Sequence, residues 1–412
     1  MPRPGGLHHI ITAMTATLAL LAGIAALAWL YLLVFHHGFW RADQRLPRDL
    51  RGPRRWPSVA AVVPARNEAR LVGQAVESLL GQDYKGVLSV IVVDDHSGDE
   101  TARVARSAAR AFAKSKNRNF HITAARPLAA GWTGKLSAMA RGAAAAGRTG
   151  PRYILFTDAD IAHDPGNLRR LVAKAEKGKL DLVSLMVRLH CRGAIERLLV
   201  PAFVFFFQKL YPFPASNDPK SRIAAAAGGC MLVRREALAD AGGLAAIKGA
   251  LIDDCALARL LKRNGPIWLG LADDETRSLR PYDGLKGFWA MVARSAYAQL
   301  GHSPPMLLGA VLGMLILYVI PVAALVWGIL AVVPALAFLG VVALAAMLLA
   351  YWPTRRLYDG FSLTFLGLPL AALLYTAMTL DSGLRHRRGR GGGWKGRTYP
   401  APTRDETGDG GP

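Results

Sequence analysis

The stretch that decides the fold is residues 58–97, SVAAVVPARNEARLVGQAVESLLGQDYKGVLSVIVVDDHS. Ser58 to Val63 is a short apolar run closed by Pro64, the pattern of a buried strand. From Asn67 the spacing changes: Leu71, Ala75 and Leu79 share one helical face, with Asn67 placed to cap it. Val87 to Val93 is a second β-branched run, ending in Asp94-Asp95-His96-Ser97, whose side chains compete for backbone donors and so favour loops and helix starts.

Further along, Phe120 to Ala124, Tyr153 to Thr157 and Leu182 to Val187 read as three more strands. Strands alternating with helical stretches predict an α/β fold, a mostly parallel sheet with helices on both faces. The carboxyl edge of such a sheet is where ligands bind. Three polar loops are expected to meet there: Pro64 to Glu68, Asp94 to Ser97 and Asp158 to Asp160. Neither a Gly-x-Gly-x-x-Gly turn after the first strand nor a Gly-x-x-x-x-Gly-Lys-Ser/Thr loop occurs, so a dinucleotide fold and a P-loop have no support.

The flanks are of another kind. Residues 10–34 carry no charge and are long enough to cross a bilayer as an anchor. Residues 304–353 lack Lys, Arg, Asp and Glu, enough for a hairpin of two spans, and 361–380 form a third apolar run. The expected organisation is an anchor at 10–34, a globular domain at 56–300, a membrane-embedded region at 304–381 and a basic tail at 382–412. Three crossings after the domain would strand the basic tail on the opposite side, against the positive-inside rule. The run containing Gly367-Leu368-Pro369 is therefore expected not to cross. The net charge of +22 gathers beside the spans, in Arg41 to Arg55 and Arg385 to Arg397, where it suits anionic lipid rather than nucleic acid. A multi-pass protein of an inner membrane, with its domain in the cytoplasm, is the corresponding expectation. Cys191, Cys230 and Cys255 lack metal-ligand spacing and are expected to be reduced.

Several constellations carry chemistry. Asp158-Ala159-Asp160 ends an apolar run and offers two hard carboxylates for a divalent cation holding a diphosphate; the plainer alternative is a turn cap and a solvated loop residue. Of Asp94 and Asp95, one is accounted for as a cap, and Asp95 is the candidate acceptor for a base N–H or a ribose hydroxyl. Gly131-Trp-Thr-Gly-Lys135 puts a cation at a helix start, against the dipole preference, which points to an anionic ligand rather than packing; the plainer alternative is an exposed flexible loop. Asp253-Asp254 opens an amphipathic helix; capping explains one acid and leaves the other as an oriented base. The aromatic segment Pro201 to Phe213 is either a core helix or one lying in the membrane interface. His163, His190 and His302 are read as structural or solvated.

The set Val62-Val-Pro-Ala-Arg-Asn-Glu68, Val92-Val-Asp-Asp-His-Ser97, Thr157-Asp-Ala-Asp160 and Ile252-Asp-Asp254 resembles the lipid-directed family 2 glycosyltransferases with the GT-A fold. Gly131 to Lys135, Ala224 to Cys230 and Gly393-Trp-Lys-Gly-Arg-Thr-Tyr399 look like the hopene-associated glycosyltransferase group. The resemblance implies that Pro64, Arg66, Glu68 and Asp95 hold the base and ribose of a nucleotide-sugar, with Lys135 and Asp158 near its phosphates. It implies Mg2+ or Mn2+ on Asp160 and Asp158, and Asp254 as base beside Asp253. Where relatives carry Gln-x-x-Arg-Trp, this chain has Gln299-Leu-Gly-His302-Ser303, and Trp394 to Arg397 is the candidate source of the missing cation. The function expected is inverting, metal-dependent transfer from a nucleotide-sugar, a UDP-sugar, to a membrane lipid hydroxyl. The alternatives are a polyprenyl-phosphate acceptor or a non-catalytic lipid-binding protein.

Overall fold

The computed structural model describes residues 4–272, 276–359, 363–389, 393–394 and 397–398. The chain forms two compact units, each discontinuous in sequence. One comprises Met1–Ala42, Cys191–Pro212 and Tyr282–Arg388; the other is built on Asp43–His190 and Phe213–Pro281. Helix α1 (Pro4–Val34) opens the first unit.

The second unit holds the sheet. Strands β1 (Val59–Ala65), β2 (Leu88–Asp94), β3 (Arg118–Ala124) and β4 (Tyr153–Phe156) are joined through α2 (Val72–Leu80), α3 (Thr101–Ala109) and α4 (Gly134–Gly147). Next come β5 (Ile161–Ala162), α5 (Asn167–Gly178) and β6 (Leu182–Met186). The chain then contributes α6 (Ala194–Leu210) to the first unit. It returns with α7 (Phe213–Asn217), β7 (Met231–Arg234), α8 (Arg235–Asp240), α9 (Asp253–Lys262), β8 (Ile267–Leu271) and β9 (Arg277–Ser278). The strand order is β3-β2-β1-β4-β7-β6-β8. Only β7 runs antiparallel to its neighbours in this sheet.

Alternation along β1 explains why helices cover both faces. Val59, Ala61 and Val63 enter one core with Val72, Val76 and Leu79 of α2 and Leu168 and Leu171 of α5. Ala60 and Val62 enter the other with Leu136 and Met139 of α4 and Leu257 and Leu261 of α9. Each such Val or Leu, taken fully out of water, contributes about 1.5–3 kcal/mol. The mostly parallel sheet expected from the sequence is present, with two strands, β7 and β8, that the sequence reading did not find.

Two local expectations need correction. Pro64 does not end β1, which runs to Ala65. β4 pairs with β1 only as far as Val62, so Pro64 sits where that side is already an edge and its missing N–H costs no ladder bond. Asn67 does not cap α2, which starts at Val72. It takes a left-handed conformation, φ 53°, and ties two edge loops together: its Oδ1 accepts from Gly98 N at 2.8 Å and its N donates to Ser97 Oγ at 3.0 Å.

In the first unit, α10 (Gly284–Gln299) is followed by α11 (Pro304–Met314), a π-helical turn Leu315–Val319 and α12 (Ile320–Leu330). The unit ends with α13 (Pro334–Asp359) and α14 (Leu368–Arg387). Among the described residues, three helical stretches are long and apolar enough to cross a membrane: His8–Val34, Pro304–Leu330 and Pro334–Tyr358. The run expected not to cross forms α14, which lies outside those three and carries Asp381 bound to Trp289 Nε1 at 2.7 Å. The segment spanning α6 is a core helix of this unit, since Val200, Val204 and Phe205 are fully buried. Residues 191–212 and 282–300, within the continuous 56–300 domain read from the sequence, pack in this helical unit.

Candidate functional site

The carboxyl ends of β1, β2 and β4 deliver the three loops expected there, and each is fixed by its own hydrogen bonds. Asp94 is the cap: its Oδ1 accepts from Ser97 N at 3.1 Å and from Ser97 Oγ at 2.5 Å. Asp95 is buried, 2% exposed in its side chain, beside Arg66 at 3.8 Å and His96 Nδ1 at 3.2 Å. Arg66 also donates to the Asp95 carbonyl at 2.7 Å, so it positions Asp95 as well as flanking it. Glu68 is buried, its backbone N donating to Thr101 Oγ1 at 2.8 Å.

The Asp-x-Asp loop rests on a chain of neutral groups. Asn167 Nδ2 donates to His163 Nδ1 at 3.0 Å, which leaves His163 Nε2 to donate to Thr157 Oγ1 at 2.9 Å. Thr157 Oγ1 in turn donates to the Gly229 carbonyl at 2.7 Å. Burial pushes the imidazole down to about 4, so the relay is neutral near pH 7. His163 is structural, as its sequence context implied.

Lys135 joins the loop to α9. Thr133 N donates to the Lys248 carbonyl at 2.9 Å, α4 begins at Gly134, and Lys135 falls in its first turn. Its Nζ lies 3.0 Å from Asp158 Oδ1 and 3.1 Å from Asp253 Oδ2. The Asp253 contact is an ion pair without hydrogen-bond alignment, since Asp253 Oδ2 makes no hydrogen bond. Burial alone would depress the Lys135 amine; Asp158, Asp253 and Asp254 outweigh it and hold the amine above its usual range. Asp254 is held from two sides: Oδ2 accepts from Gly228 N at 2.9 Å and Oδ1 from Cys255 N at 2.8 Å. Burial, then the charge of Asp253, pushes Asp254 up to about 6, against the pull of Lys135. A Cβ on Gly228 would lie 3.1 Å from Lys135 Nζ and 3.4 Å from Asp254 Oδ2, so glycine lets this loop sit against both.

One residue of the site escaped the sequence reading. β5 and β9 pair antiparallel, Ile161 against Ser278, and Leu279 N donates to the Asp160 carbonyl at 2.7 Å. That short ribbon brings Arg280 to the loop, where its Nε donates to Asp160 Oδ2 at 2.6 Å and its Nη2 to both oxygens of Glu68 at 2.5 Å. Burial and the charge of Asp158 push the Asp160 carboxyl upward, while Arg280 opposes them. Arg280 lies 120 residues from Asp160 and 212 from Glu68, and no local pattern announces it.

Five carboxylates, Glu68, Asp158, Asp160, Asp253 and Asp254, thus face two cations, Lys135 and Arg280. The excess negative charge and hard oxygen donors fit a divalent cation. Among the described residues no three His, Cys, Asp or Glu side chains group as a closed cage. That suits an ion bound through one or two carboxylates and completed by phosphate and water. Gln299 bonds the Tyr211 hydroxyl within the helical unit. Gly393–Trp394 pairs with Arg397–Thr398, and Lys395 lies outside the described residues.

Residues 60–242 match the family model described as glycosyl transferase family 2. They form a family 2 glycosyltransferase domain with the GT-A fold. A mannosyltransferase from Pyrobaculum calidifontis, PcManGT, solved with GDP-Man and Mn2+, aligns with TM-score 0.51 and 19% identity over 89% of this chain and 99% of its own. Among curated relatives, an N-acetylglucosaminyltransferase of Rhizobium sp. (strain N33) is 46% identical over 55 residues, 13% of this chain and 12% of the relative. A 4,4'-diaponeurosporenoate glycosyltransferase of Staphylococcus aureus (strain bovine RF122 / ET3-1) is 46% identical over 50 residues, 12% of this chain and 13% of the relative. The matched stretches therefore cover about an eighth of each curated relative.

Proposed function

We propose that the protein is an inverting glycosyltransferase that moves a sugar from a UDP-sugar to a hydroxyl of a membrane lipid, a hopanoid or related isoprenoid. The carrying observation is Lys135, whose one ammonium pairs with Asp158 at the end of β4 and Asp253 at the start of α9. This puts the acids suited to a diphosphate and the acids suited to proton transfer within one side chain's reach.

Asp254 takes the acceptor proton as the hydroxyl attacks the anomeric carbon from the face opposite the diphosphate. Two backbone N–H groups fix its orientation, and a carboxyl raised to about 6 is a stronger base than an ordinary one yet still ionised at pH 7. Asp253 keeps Lys135 directed at the phosphates. Pro64 to Glu68 and Asp95 hold the base and ribose, with Asp95 oriented by Arg66. Asp160 and Asp158 would hold Mg2+ or Mn2+, whose chemistry when bound is to neutralise charge on the leaving diphosphate. The similarly folded mannosyltransferase with GDP-Man and Mn2+ supports a nucleotide-sugar and a divalent ion.

The three apolar helical stretches support an integral protein of an inner membrane. If α14 does not cross, two spans after the sheet unit return the basic tail to the domain's side, the cytoplasm, as the positive-inside rule requires. Incubating purified full-length protein with labelled UDP-sugars and a membrane lipid extract should give a labelled lipid of inverted anomeric configuration. Absence of both donor binding and lipid labelling across UDP- and GDP-sugars would overturn the reading.

A further inference from the structure

Arg280 stands between two carboxylates that the chain fixes independently. Asp160 is pinned through its own carbonyl, which accepts from Leu279 N at 2.7 Å. Glu68 is pinned through its backbone: its N donates to Thr101 Oγ1 at 2.8 Å, and its carbonyl accepts from Leu71 N at 3.0 Å and Val72 N at 2.9 Å. The side chains of Asp160 and Glu68 are 15% and 8% exposed, whereas that of Arg280 is 39% exposed. The guanidinium is the member of this triad with room to move.

Its two contacts are unequal. Nη2 donates to both oxygens of Glu68, while Asp160 receives Nε on Oδ2 alone. Asp160 Oδ1 accepts no hydrogen bond among the described residues. Asp158, the other acid of the Asp-x-Asp loop, also carries a protein cation, but that one, Lys135, is shared with Asp253 and is less exposed than Arg280.

A structural brace is the plainer role for Arg280, yet the ribbon is already held without its side chain. Ile161 pairs with Ser278, Leu279 N bonds the Asp160 carbonyl, and Arg280 N donates to Ser278 Oγ at 3.3 Å. What the side chain adds is positive charge on a carboxylate suited to a divalent ion. An ion on Asp160 meets that guanidinium on the same carboxylate, and like charges so close repel. Glu68 cancels part of the charge and gives the guanidinium a place to stay when Nε lets go.

We propose, resting on the reading of Asp160 as a metal ligand, that Arg280 competes with the divalent ion for Asp160 and that Glu68 moderates the competition. The pair sets how tightly the ion is held without either residue being a ligand. The two act with opposite sign. Removing Arg280 leaves Glu68 as an extra negative charge near the ion, while neutralising Glu68 leaves the guanidinium to Asp160 alone.

The test is Mn2+ binding by full-length protein without donor, read from the electron paramagnetic resonance signal of the free ion, with Asp160→Ala marking the site. Arg280→Gln should bind Mn2+ about tenfold more tightly than wild type, about 1.4 kcal/mol. Glu68→Gln should bind it about threefold more weakly. Arg280→Lys, whose single ammonium cannot bridge both acids, should tighten binding about threefold, and it decides the matter if Arg280→Gln does not fold. An affinity unchanged or weakened in a folded Arg280 variant overturns the competition, since loss of a brace would only loosen the site. A Glu68→Gln affinity equal to wild type overturns the part given to Glu68. Mn2+ bound by none of these proteins removes the metal reading as well, whereas metal-dependent transfer with equal affinities sinks the competition alone.

Discussion

Asp254→Asn separates charge from shape at the proposed base, and its energetics can be worked from the contacts. At pH 7 the folded protein keeps this carboxylate ionised although its pKa has moved from 3.8 to about 6, which costs about 3 kcal/mol. A neutral amide removes that cost. Against this, both oxygens accept backbone N–H bonds, from Gly228 at 2.9 Å and Cys255 at 2.8 Å. One of those donors would face an amide NH2, a loss of about 1–3 kcal/mol. The terms nearly cancel, so the variant should melt within a few degrees of wild type and bind the donor normally. Transfer should nevertheless fall roughly 100- to 10,000-fold, the usual worth of a general base. Initial rates with labelled UDP-sugar and lipid extract, beside thermal unfolding and donor titration, make the assay. A well-folded variant keeping more than about a tenth of the wild-type rate would refute the base. It would favour an acceptor already ionised, such as a polyprenyl phosphate.

Other outcomes follow from the same contacts. The kcat/KM for transfer should fall about tenfold per pH unit below about pH 6 as Asp254 protonates, and Asp254→Asn should lack that limb. Arg280→Gln leaves Glu68 and Asp160 facing each other without their shared cation. We expect a loss of about 2 kcal/mol, read as about 4–8 °C in Tm, partly restored by Mn2+ measured without substrate. For His163 the folded pKa is lowered, to about 4 from 6.5, so the unfolded chain takes up the proton first. Stability from this group is present above about 6.5 and lost, by about 3 kcal/mol, as pH falls towards 4. His163→Asn should flatten that loss in denaturant titrations across pH 4–7. EDTA should abolish transfer, and Mg2+ or Mn2+ restore it, with Asp160→Ala insensitive to both.

Much of this was legible because it is local. Strand runs, the loops that end them and the acids at the α9 start all lie within a few residues of a hydrophobic pattern. Asp94 was legible as the cap, since one carboxylate of the pair suffices for that role. What was hidden is non-local. Arg280 reaches Asp160 only because β9 pairs with β5, a two-residue ribbon no periodicity reveals. β7 has four residues and follows the alanine-rich Ala224 to Ala227 segment, too short a run to declare itself. Asn67 was misread because a residue able to cap a helix is equally able to adopt a left-handed turn and staple two loops.

The interruption of the sheet by α6 bears on how the protein is made. As the ribosome delivers the chain, β1 to β4 and β6 emerge before α6, yet β7, which must slot between β4 and β6, comes only after it. Two strands therefore wait with bare backbone while α6 is being made. A nascent polypeptide halted near residue 212 would carry an unfilled gap at the centre of its sheet, open to mispairing with any passing strand. Completion of the sheet is thereby set behind synthesis of α6, and a pause in translation there should show itself as aggregation of the sheet unit.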